Sequence, residues 1–355
     1  MPNSGKLNGI IRVLIADDSA YVRKVVREML AGVPVIEVIG AARDGVEALR
    51  LTKELKPDVV ISDLMMPELD GVGFVKEQMS RHPLPILMMS SMDEHDEDTL
   101  LALDAGAIDF IQKPTALATE KIFSMREELV EKIKAAAVSR PQSLPEPGPP
   151  VAVEPLPVER RSESKGRYDV IVIGISTGGP QALRSFIPQL PADFPVPIAI
   201  VMHMPVGYTT MYAERLHELS AIDFVESLGG EELRPGAAFL APGGKHLLLE
   251  RAPDGSVRTA LNLRPVETAH RPSVDVLFQS AAKACGDRVL GVVMTGMGSD
   301  GREGAAWIKA RGGTIYTESE QSCIVYGMPS SVVEAGLSDR EVPLDQMAQA
   351  LVEIS

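Results

Sequence analysis

The second half of the sequence contains a serine, a histidine and an aspartate of the types that perform acyl transfer. Ser176 lies in Gly-Ile-Ser-Thr-Gly (174–178), which fits the G-x-S-x-G elbow that exposes a serine hydroxyl between a strand and a helix. His203 directly follows the apolar run PIAIVM, and Asp300 lies in a glycine-rich loop after VLGVVMTG. A serine needs a base to attack a carbonyl near neutral pH, and the base needs an orienting carboxylate. The pattern therefore favours a nucleophilic hydrolase with this triad.

Other interpretations of the serine turn and of the histidines stay open on these residues alone. The turn lacks the G-K-[ST] of a P-loop, and Ser176 occupies the middle glycine position of a dinucleotide fingerprint, so phosphate binding is disfavoured. A plain strand-to-helix turn remains an alternative. His246 or His270 could replace His203 as the base. Zinc is disfavoured because no His or Cys pair has a finger-like spacing and no H-E-x-x-H occurs.

The first half places charged and hydroxyl side chains directly after apolar runs. They are Asp17, Asp18, Asp63, Ser90 and Lys113. In a parallel sheet these positions meet at one edge, beyond the carboxyl ends of the strands. Three carboxylates there repel each other unless a hard cation neutralises them, and Mg²⁺ suits such a site. A carboxylate beside Mg²⁺ and a lysine can accept a phosphoryl group, whose oxygens a hydroxyl and an ammonium would hold.

Alternating apolar and amphipathic segments must position these residues. The first half has five apolar runs, at 11–16, 35–40, 58–62, 85–90 and 108–112, and the second half has four, at 169–174, 197–202, 237–241 and 289–296. Helical patterns lie between them, the first opened by Ser19 as an N-cap. This alternation predicts an α/β protein with two doubly wound parallel-sheet domains, the first with five strands and the second larger.

A segment rich in proline, glutamate and serine divides the chain. It reads SRPQSLPEPGPPVAVEPLPVERRSESKGR and cannot bury enough apolar surface to fold alone, so we expect an extended linker. We assign residues 10–137 to the first domain, 138–167 to the linker and 168–355 to the second domain.

Composition limits the class of partner and the compartment. The 355-residue chain has a net charge of −14, which disfavours sequence-independent binding to nucleic acid and to anionic lipid. Two cysteines, Cys285 and Cys323, suit a reducing compartment without a disulfide framework. No apolar run reaches the length of a membrane span, and the first residues lack a signal peptide's apolar region. We expect a soluble cytoplasmic monomer without membrane insertion.

The motifs of the first half are similar to those of a known family. The segments VLIADDSAYVRKV, DVVISDLMMPELDG, ILMMSS and FIQKP resemble the receiver domain of two-component response regulators. The resemblance implies a flavodoxin-like fold and phosphorylation of Asp63. It also implies a set of supporting residues: Asp18, Asp63 and the Met65 backbone carbonyl as Mg²⁺ ligands, Asp17 beside the metal, Ser90 as switch hydroxyl, Lys113 as phosphate-binding lysine and Phe110 as the rotating aromatic.

The second half resembles a different family over nearly its whole length. The segments IGISTGGPQAL, VMHMPVGYTTMYAERL, APGGKHL, HRPSVDVLF, VMTGMGSDG and CIVYGMP are similar to the catalytic domain of CheB-type protein-glutamate methylesterases. This resemblance implies a Rossmann-like domain with Ser176 as nucleophile, His203 as base and Asp300 as orienting acid. It adds the Met297 backbone N–H as an oxyanion donor. Ile175 stands where the family often has alanine, next to the nucleophile.

The two resemblances together imply an enzyme of chemotactic adaptation controlled by phosphorylation. The expected substrates are glutamate γ-methyl esters and glutamines of methyl-accepting chemoreceptors, the expected phosphodonor is a CheA-type histidine kinase, and Mg²⁺ is expected in the receiver domain only. A response regulator that binds DNA would need a basic recognition helix after the linker, and the sequence shows none. A nucleotide-binding output domain, or a relative that acts on another protein ester or amide, remain alternatives.

Overall fold

Two parallel β-sheets organise the chain in the computed structural model, which describes residues 9–90, 96–113, 119–139 and 167–354. The predicted α/β class with two parallel-sheet domains is confirmed. Most of the predicted linker, residues 140–166, lies outside the described residues. Within the described part of the chain, no helix combines the length and the apolar character that crossing a bilayer requires.

The first sheet has the strand order β2-β1-β3-β4-β5, and every pairing in it is parallel. Its strands are β1 (Ile11–Ala16), β2 (Ile36–Ala42), β3 (Val59–Asp63), β4 (Ile86–Ser90) and β5 (Asp109–Gln112). The helices of this half are α1 (Ala20–Leu30), α2 (Gly45–Leu55), α3 (Gly71–Arg81), α4 (Asp96–Asp104) and α5 (Thr119–Val138). Each predicted strand of this half is present, with its bounds shifted by two residues at most.

Short polar side chains fix where the helices of the first half begin. The predicted N-cap Ser19 accepts a hydrogen bond from the Val22 N–H at 3.4 Å, and Asp44 and Asp70 do the same for the helices that follow them. Because the Ser19 cap holds the start of α1 just beyond the end of β1, the loop that carries Asp17 and Asp18 is short.

The second sheet has the order β14-β13-β12-β6-β7-β9-β8, again with parallel pairings throughout. Its strands are β6 (Val170–Ile175), β7 (Ile198–Met202), β8 (Asp223–Glu226), β9 (Ala237–Leu240), β12 (Val289–Val293), β13 (Thr314–Glu318) and β14 (Arg340–Val342), and β10 (His246–Arg251) with β11 (Val257–Asn262) forms a separate antiparallel hairpin. The helices are α6 (Gly179–Phe186), α7 (Tyr208–Leu219), α8 (Val274–Cys285), α9 (Arg302–Ala310), α10 (Met328–Glu334) and α11 (Leu344–Glu353).

The pattern of apolar runs missed five strands of the second half: β8, β10, β11, β13 and β14. Each of them has at least one partly or fully exposed position, and polar residues interrupt the apolar pattern. The strand β14 has only three residues, two of them exposed at the sheet edge. The four predicted strands are present, and they lie in the central part of the sheet, where both faces are covered.

The strand order determines where a site can form. The strand β6 lies between β7 and β12, and the chain leaves it in one direction for β7 and returns later on its other side to form β12. Such a reversal opens a crevice at the carboxyl ends of the strands. The same reversal occurs in the first sheet between β1 and β3. Three candidates of the first set, Asp17, Asp18 and Asp63, lie at the ends of β1 and β3. The three candidates of the second set follow β6, β7 and β12.

Candidate active site and phosphoacceptor site

Ser176, His203 and Asp300 meet at the edge of the second sheet. The His203 Nδ1 lies 3.1 Å from the Ser176 Oγ, and the His203 Nε2 lies 2.8 Å from the Asp300 Oδ2. An ionised carboxylate only accepts hydrogen bonds, so Nε2 carries the ring proton and Nδ1 is free to accept one from the serine hydroxyl. The three side chains therefore form a continuous hydrogen-bonded chain from hydroxyl to carboxylate.

The N-terminus of α8 anchors the Asp300 carboxylate. Its Oδ1 accepts from the Ser273 Oγ at 3.0 Å and from the Asp275 N–H at 2.9 Å, and its Oδ2 accepts from the Val274 N–H at 2.8 Å. Burial alone would raise the pKa of Asp300, but the hydrogen bonds from His203 and from these N–H groups outweigh it and hold the pKa well below its usual range. Asp300 is thus a fixed anion next to the His203 ring.

A second carboxylate, Asp275, secures the backbone that carries Asp300. Its Oδ1 accepts from the N–H groups of Gly301 and Gly304, at 2.9 and 2.6 Å, at the start of α9. Since the Val274 and Asp275 N–H groups donate to Asp300, Asp300 caps α8, the helix that contains Asp275, and Asp275 in turn caps α9, the helix that follows Asp300. The sequence gives no signal of this reciprocal capping, because the two residues are far apart in the chain.

Close backbone packing positions the serine turn. A side chain at Gly296 would lie 2.8 Å from the Ser176 Cβ, so only glycine lets the 295–298 loop approach Ser176 this closely. The Ser176 N–H donates to the Thr295 carbonyl at 3.0 Å, and the Thr295 hydroxyl donates to the Thr177 carbonyl at 3.0 Å. Ile175 is fully buried in β6.

A buried carboxylate that the sequence did not single out supports this loop from behind. Glu318, at the end of β13, is fully buried and accepts the Thr295 N–H at 2.9 Å and the Ser322 hydroxyl at 3.0 Å. Its burial raises the pKa of Glu318. Glu318 therefore links β13 to the same loop that contacts Ser176.

The two alternative histidines do not contact the serine. His246 is completely buried; its Nδ1 accepts the Ser273 N–H at 3.2 Å, and its Nε2 donates to the Pro265 carbonyl at 2.9 Å. Both of its nitrogens are therefore occupied in holding a loop to α8. His270 lies against the ring of His203, with the centroids 3.9 Å apart. Of the three histidines, His203 is the one within hydrogen-bond distance of Ser176.

Asp17, Asp18 and Asp63 come together at the edge of the first sheet. Each offers a carboxylate oxygen, and these atoms lie within 4.8 Å of one another. The Lys113 Nζ lies 2.7 Å from the Asp63 Oδ2 and 3.2 Å from the Asp17 Oδ2. Burial raises the pKa of Asp63, and burial together with the charge of Asp63 raises the pKa of Asp17. Burial disfavours the Lys113 ammonium, but the two carboxylates outweigh it and raise its pKa.

This donor set fits a hard divalent cation. The Asp17 Oδ2 is buried and receives no hydrogen bond of good geometry from the described residues. Two buried carboxylates with raised pKa values would gain from a cation, and Mg²⁺ takes oxygen ligands of this type. The expected Met65 carbonyl ligand follows Asp63 by two residues, and the Met65 and Leu64 N–H groups offset part of the rise in the Asp63 pKa that burial causes.

Ser90 and Phe110 lie between the two halves of the molecule. The Tyr208 hydroxyl, from the first turn of α7, donates to the Ser90 Oγ at 2.9 Å, and the Thr99 hydroxyl donates to the same oxygen at 3.0 Å. The Phe110 and Tyr208 rings pack at 4.5 Å between centroids. The predicted switch residues of the first domain are therefore in direct contact with the second domain.

The first domain covers the start of α6, next to the serine turn. The Thr177 hydroxyl donates to the Asp109 Oδ2 at 2.8 Å, and the Gln181 side chain donates to the Ala107 carbonyl at 2.6 Å. Two arginines of the second domain, Arg184 and Arg215, pair with Asp104 of α4. These contacts place the α4–β5 surface of the first domain beside the residue that follows Ser176.

Comparison with known proteins assigns each half of the chain to a protein family. The family profile described as CheB methylesterase matches residues 171–351, slightly more than half of the chain. The chain belongs to the CheB methylesterase family. The profile of the response regulator receiver domain matches residues 13–124, so the first half is a receiver domain. The resemblance inferred from the sequence motifs is thereby confirmed.

Named relatives extend over nearly the whole chain. The protein-glutamate methylesterase/protein-glutamine glutaminase 5 of Myxococcus xanthus is 47% identical over 96% of this chain and 97% of its own length. The enzyme of that type from Symbiobacterium thermophilum is 42% identical over 98% of both chains. The crystal structure of the Thermotoga maritima CheB methylesterase catalytic domain aligns with a TM-score of 0.52 at 40% identity, over 53% of this chain and 99% of that one.

Proposed function

We propose that the chain is a protein-glutamate methylesterase and protein-glutamine glutaminase that acts on chemoreceptors and is activated by phosphorylation of Asp63. The observation that carries the proposal is the contact of the Ser176 hydroxyl with His203, which in turn contacts Asp300. The names of the relatives support the substrate class. The receiver domain supports control by a phosphodonor, and the proposed phosphodonor is a CheA-type histidine kinase.

The triad supplies both proton transfers of ester hydrolysis. The His203 Nδ1 takes the Ser176 proton while Oγ forms a bond to the ester carbonyl carbon, and the imidazolium is stabilised by Asp300. The Nδ1 proton then passes to the methoxy oxygen as the carbon–oxygen bond breaks, and methanol leaves. Water attacks the resulting acyl-enzyme by the same steps and releases the glutamate. A primary amide loses ammonia in the same way.

Backbone N–H groups next to Ser176 would hold the negative oxygen of the tetrahedral intermediate. Among the described residues, no acceptor receives the Met297 N–H, and Met297 directly follows the glycine packed on Ser176. The start of α6 presents further N–H groups on the other side. One donor of this kind contributes roughly 3 kcal/mol to catalysis.

Asp63 would carry the regulatory phosphoryl group. Lys113 already contacts its carboxylate and would bind an oxygen of the acyl phosphate. A bound Mg²⁺, held by Asp18, Asp63 and the Met65 carbonyl with Asp17 beside it, would neutralise charge during the transfer. Ser90 is the hydroxyl at the same sheet edge that would turn toward the phosphoryl group.

Unphosphorylated receiver would restrict access to the triad. The contacts of Asp109 with Thr177 and of Ala107 with Gln181 hold it at the serine turn. A linker of the predicted length has a root-mean-square reach of roughly 30 Å, so an undocked receiver stays near the catalytic domain. A phosphoryl group that draws Ser90 away from Tyr208 removes one of the docking contacts.

Methanol release from a methylated receptor tests this proposal. Wild type should release methanol faster with a small phosphodonor such as acetyl phosphate than without it. Ser176→Ala should lose activity by more than about a thousandfold under both conditions. Asp63→Asn should keep its basal rate and not respond to the phosphodonor.

Ser185→Ala is the matched control, because this serine lies in α6 and donates to the Ala182 carbonyl without approaching the triad. It should behave as wild type. Methanol release that persists in Ser176→Ala, or equal rates for phosphodonor-treated wild type and Asp63→Asn, would contradict the proposal.

A further inference from the structure

The ring of His270 covers one flat face of the proposed base. The two rings are stacked, with centroids 3.9 Å apart and planes 20° from parallel. His270 lies between β11 and α8 and is otherwise exposed. Core packing does not force this contact, since most of the His270 loop is open to solvent.

The hydrogen bonds of His203 do not fix the orientation of its ring completely, because they leave one rotation of the ring free. Its contacts with Ser176 and Asp300 both lie along the edge of the ring, at Nδ1 and Nε2. A ring held at two edge atoms can still tilt about the line that joins them. A flat group on its face opposes that tilt, and His270 is in this position.

We propose that His270 is a positioning residue of the hydrolytic reaction, whose neutral ring keeps the His203 Nδ1 directed at the Ser176 Oγ. The inference rests on the proposed function insofar as it assumes that His203 is the base. It assigns His270 a role distinct from proton transfer, because its ring contacts the ring of the base and not the serine.

The charges around His270 favour its neutral form. The groups that act on it are His203, Asp300 and Lys132, the last from α5 of the receiver. Partial burial, repulsion by a charged His203 and repulsion by Lys132 lower the pKa of His270, and Asp300 opposes this to a smaller extent. A neutral aromatic face can lie against the imidazolium that forms during catalysis, whereas a charged one would repel it.

A cavity lies beside the stacked rings of His203 and His270, so the stack also controls how far water reaches His203. It has a volume of about 960 Å³ and is lined by His270 and Asp300 together with residues of α8 and of the 264–269 loop. His270 thus separates the face of His203 from this cavity. Without the His270 ring, water in the cavity would reach His203 and stabilise its charged form.

The test compares His270→Ala with His270→Phe in the full chain treated with acetyl phosphate. Two rates are measured from pH 5 to 9: the labelling of Ser176 by a fluorophosphonate and the hydrolysis of p-nitrophenyl acetate. His270→Ala should lower kcat roughly two- to tenfold at unchanged KM, because the stacking contact is lost. The acid limb of its pH profile should move to higher pH, since a hydrated His203 protonates more readily.

His270→Phe should retain a rate within about twofold of wild type and an unchanged acid limb, because phenylalanine preserves the flat neutral face. Val266→Ala, an exposed position of the same loop, should have no effect on either measurement. The phenylalanine variant keeps the test decisive if the alanine variant does not fold.

Two results would overturn the inference: an alanine variant with the wild-type rate and pH profile, or a phenylalanine variant more than about tenfold slower than wild type. Failure of the proposed function is recognised separately, because hydrolysis of p-nitrophenyl acetate would then persist in Ser176→Ala. A reaction that requires Ser176 but is unaffected by substitution of His270 would contradict the positioning role of His270 and leave the proposed function intact.

Discussion

The Tyr208 hydroxyl joins the catalytic domain to Ser90, the proposed switch residue of the receiver, so its removal should weaken the docking of the two domains. It donates to the Ser90 Oγ at 2.9 Å, and the Tyr208 ring packs on Phe110. Tyr208→Phe deletes the hydroxyl and keeps the ring. The expected result is a higher methylesterase rate without phosphodonor and an unchanged rate with it.

The size of the effect follows from the contact that is lost. A hydrogen bond between two neutral hydroxyls contributes about 1 kcal/mol net, and Ser90 keeps its bond from Thr99. A loss of 1 kcal/mol lowers the docking constant roughly fivefold. If the docked form dominates, the basal rate rises by up to that factor. Because coupling between binding equilibria is reciprocal, beryllofluoride should also bind up to fivefold more tightly at the receiver.

The matched control is Tyr212→Phe, one turn further along α7. Its hydroxyl donates to the Pro180 carbonyl at 2.9 Å within the catalytic domain, so its removal deletes no hydrogen bond between the two domains. Rates of small-ester hydrolysis are measured for both variants against acetyl phosphate concentration. A basal rate of Tyr208→Phe equal to wild type, or an equal rise in Tyr212→Phe, would refute the reasoning that Tyr208 holds the receiver through Ser90.

Two further predictions concern the charged groups of the two sites. Asp300→Asn should lower kcat for a small ester by roughly 10³- to 10⁴-fold, because an amide no longer holds the Nε2 proton of His203. Since the folded pKa of Asp300 lies below its unfolded value of about 3.9, the anion stabilises the fold above that value, and the stabilisation is lost as the pH falls through the folded pKa. The difference in thermal stability between wild type and Asp300→Asn should therefore shrink below about pH 4. Chelation by EDTA should abolish phosphorylation of Asp63 by acetyl phosphate and leave fluorophosphonate labelling of Ser176 at its basal rate, and labelling that falls with chelation would contradict a metal site confined to the receiver.

The sequence was informative wherever function follows a buried strand. Asp63 and Ser90 end strands of the first sheet, and Ser176 and His203 directly follow strands of the second, so short apolar runs were enough to locate them. Because adjacent parallel strands end at one edge, the meeting of these residues could also be anticipated.

Contacts that depend on the packing of distant helices could not be found in the same way. Asp275 and Glu318 support Asp300 and the loop beside Ser176, yet each is an isolated acid in a helical or strand pattern. The sequence around Tyr208 indicates only an ordinary helix residue, and its hydrogen-bond partner Ser90 belongs to the other domain. The spacing of apolar residues along the chain does not indicate which surfaces of the two domains meet, because that depends on their three-dimensional shape.

Several of the contacts between the domains form one connected set, and this set bears on how the proposed activation would proceed. Thr177 donates to Asp109, whose carboxylate also pairs with Lys132 at 3.1 Å, and Lys132 donates to the Phe110 carbonyl at 2.6 Å. Phe110 in turn packs on Tyr208, the residue bonded to Ser90. A rotation of Phe110 toward the side vacated by Ser90 therefore has to break the ring contact with the catalytic domain. Because the residue beside the nucleophile belongs to the same set, release of the receiver and exposure of Ser176 are expected to occur as one step.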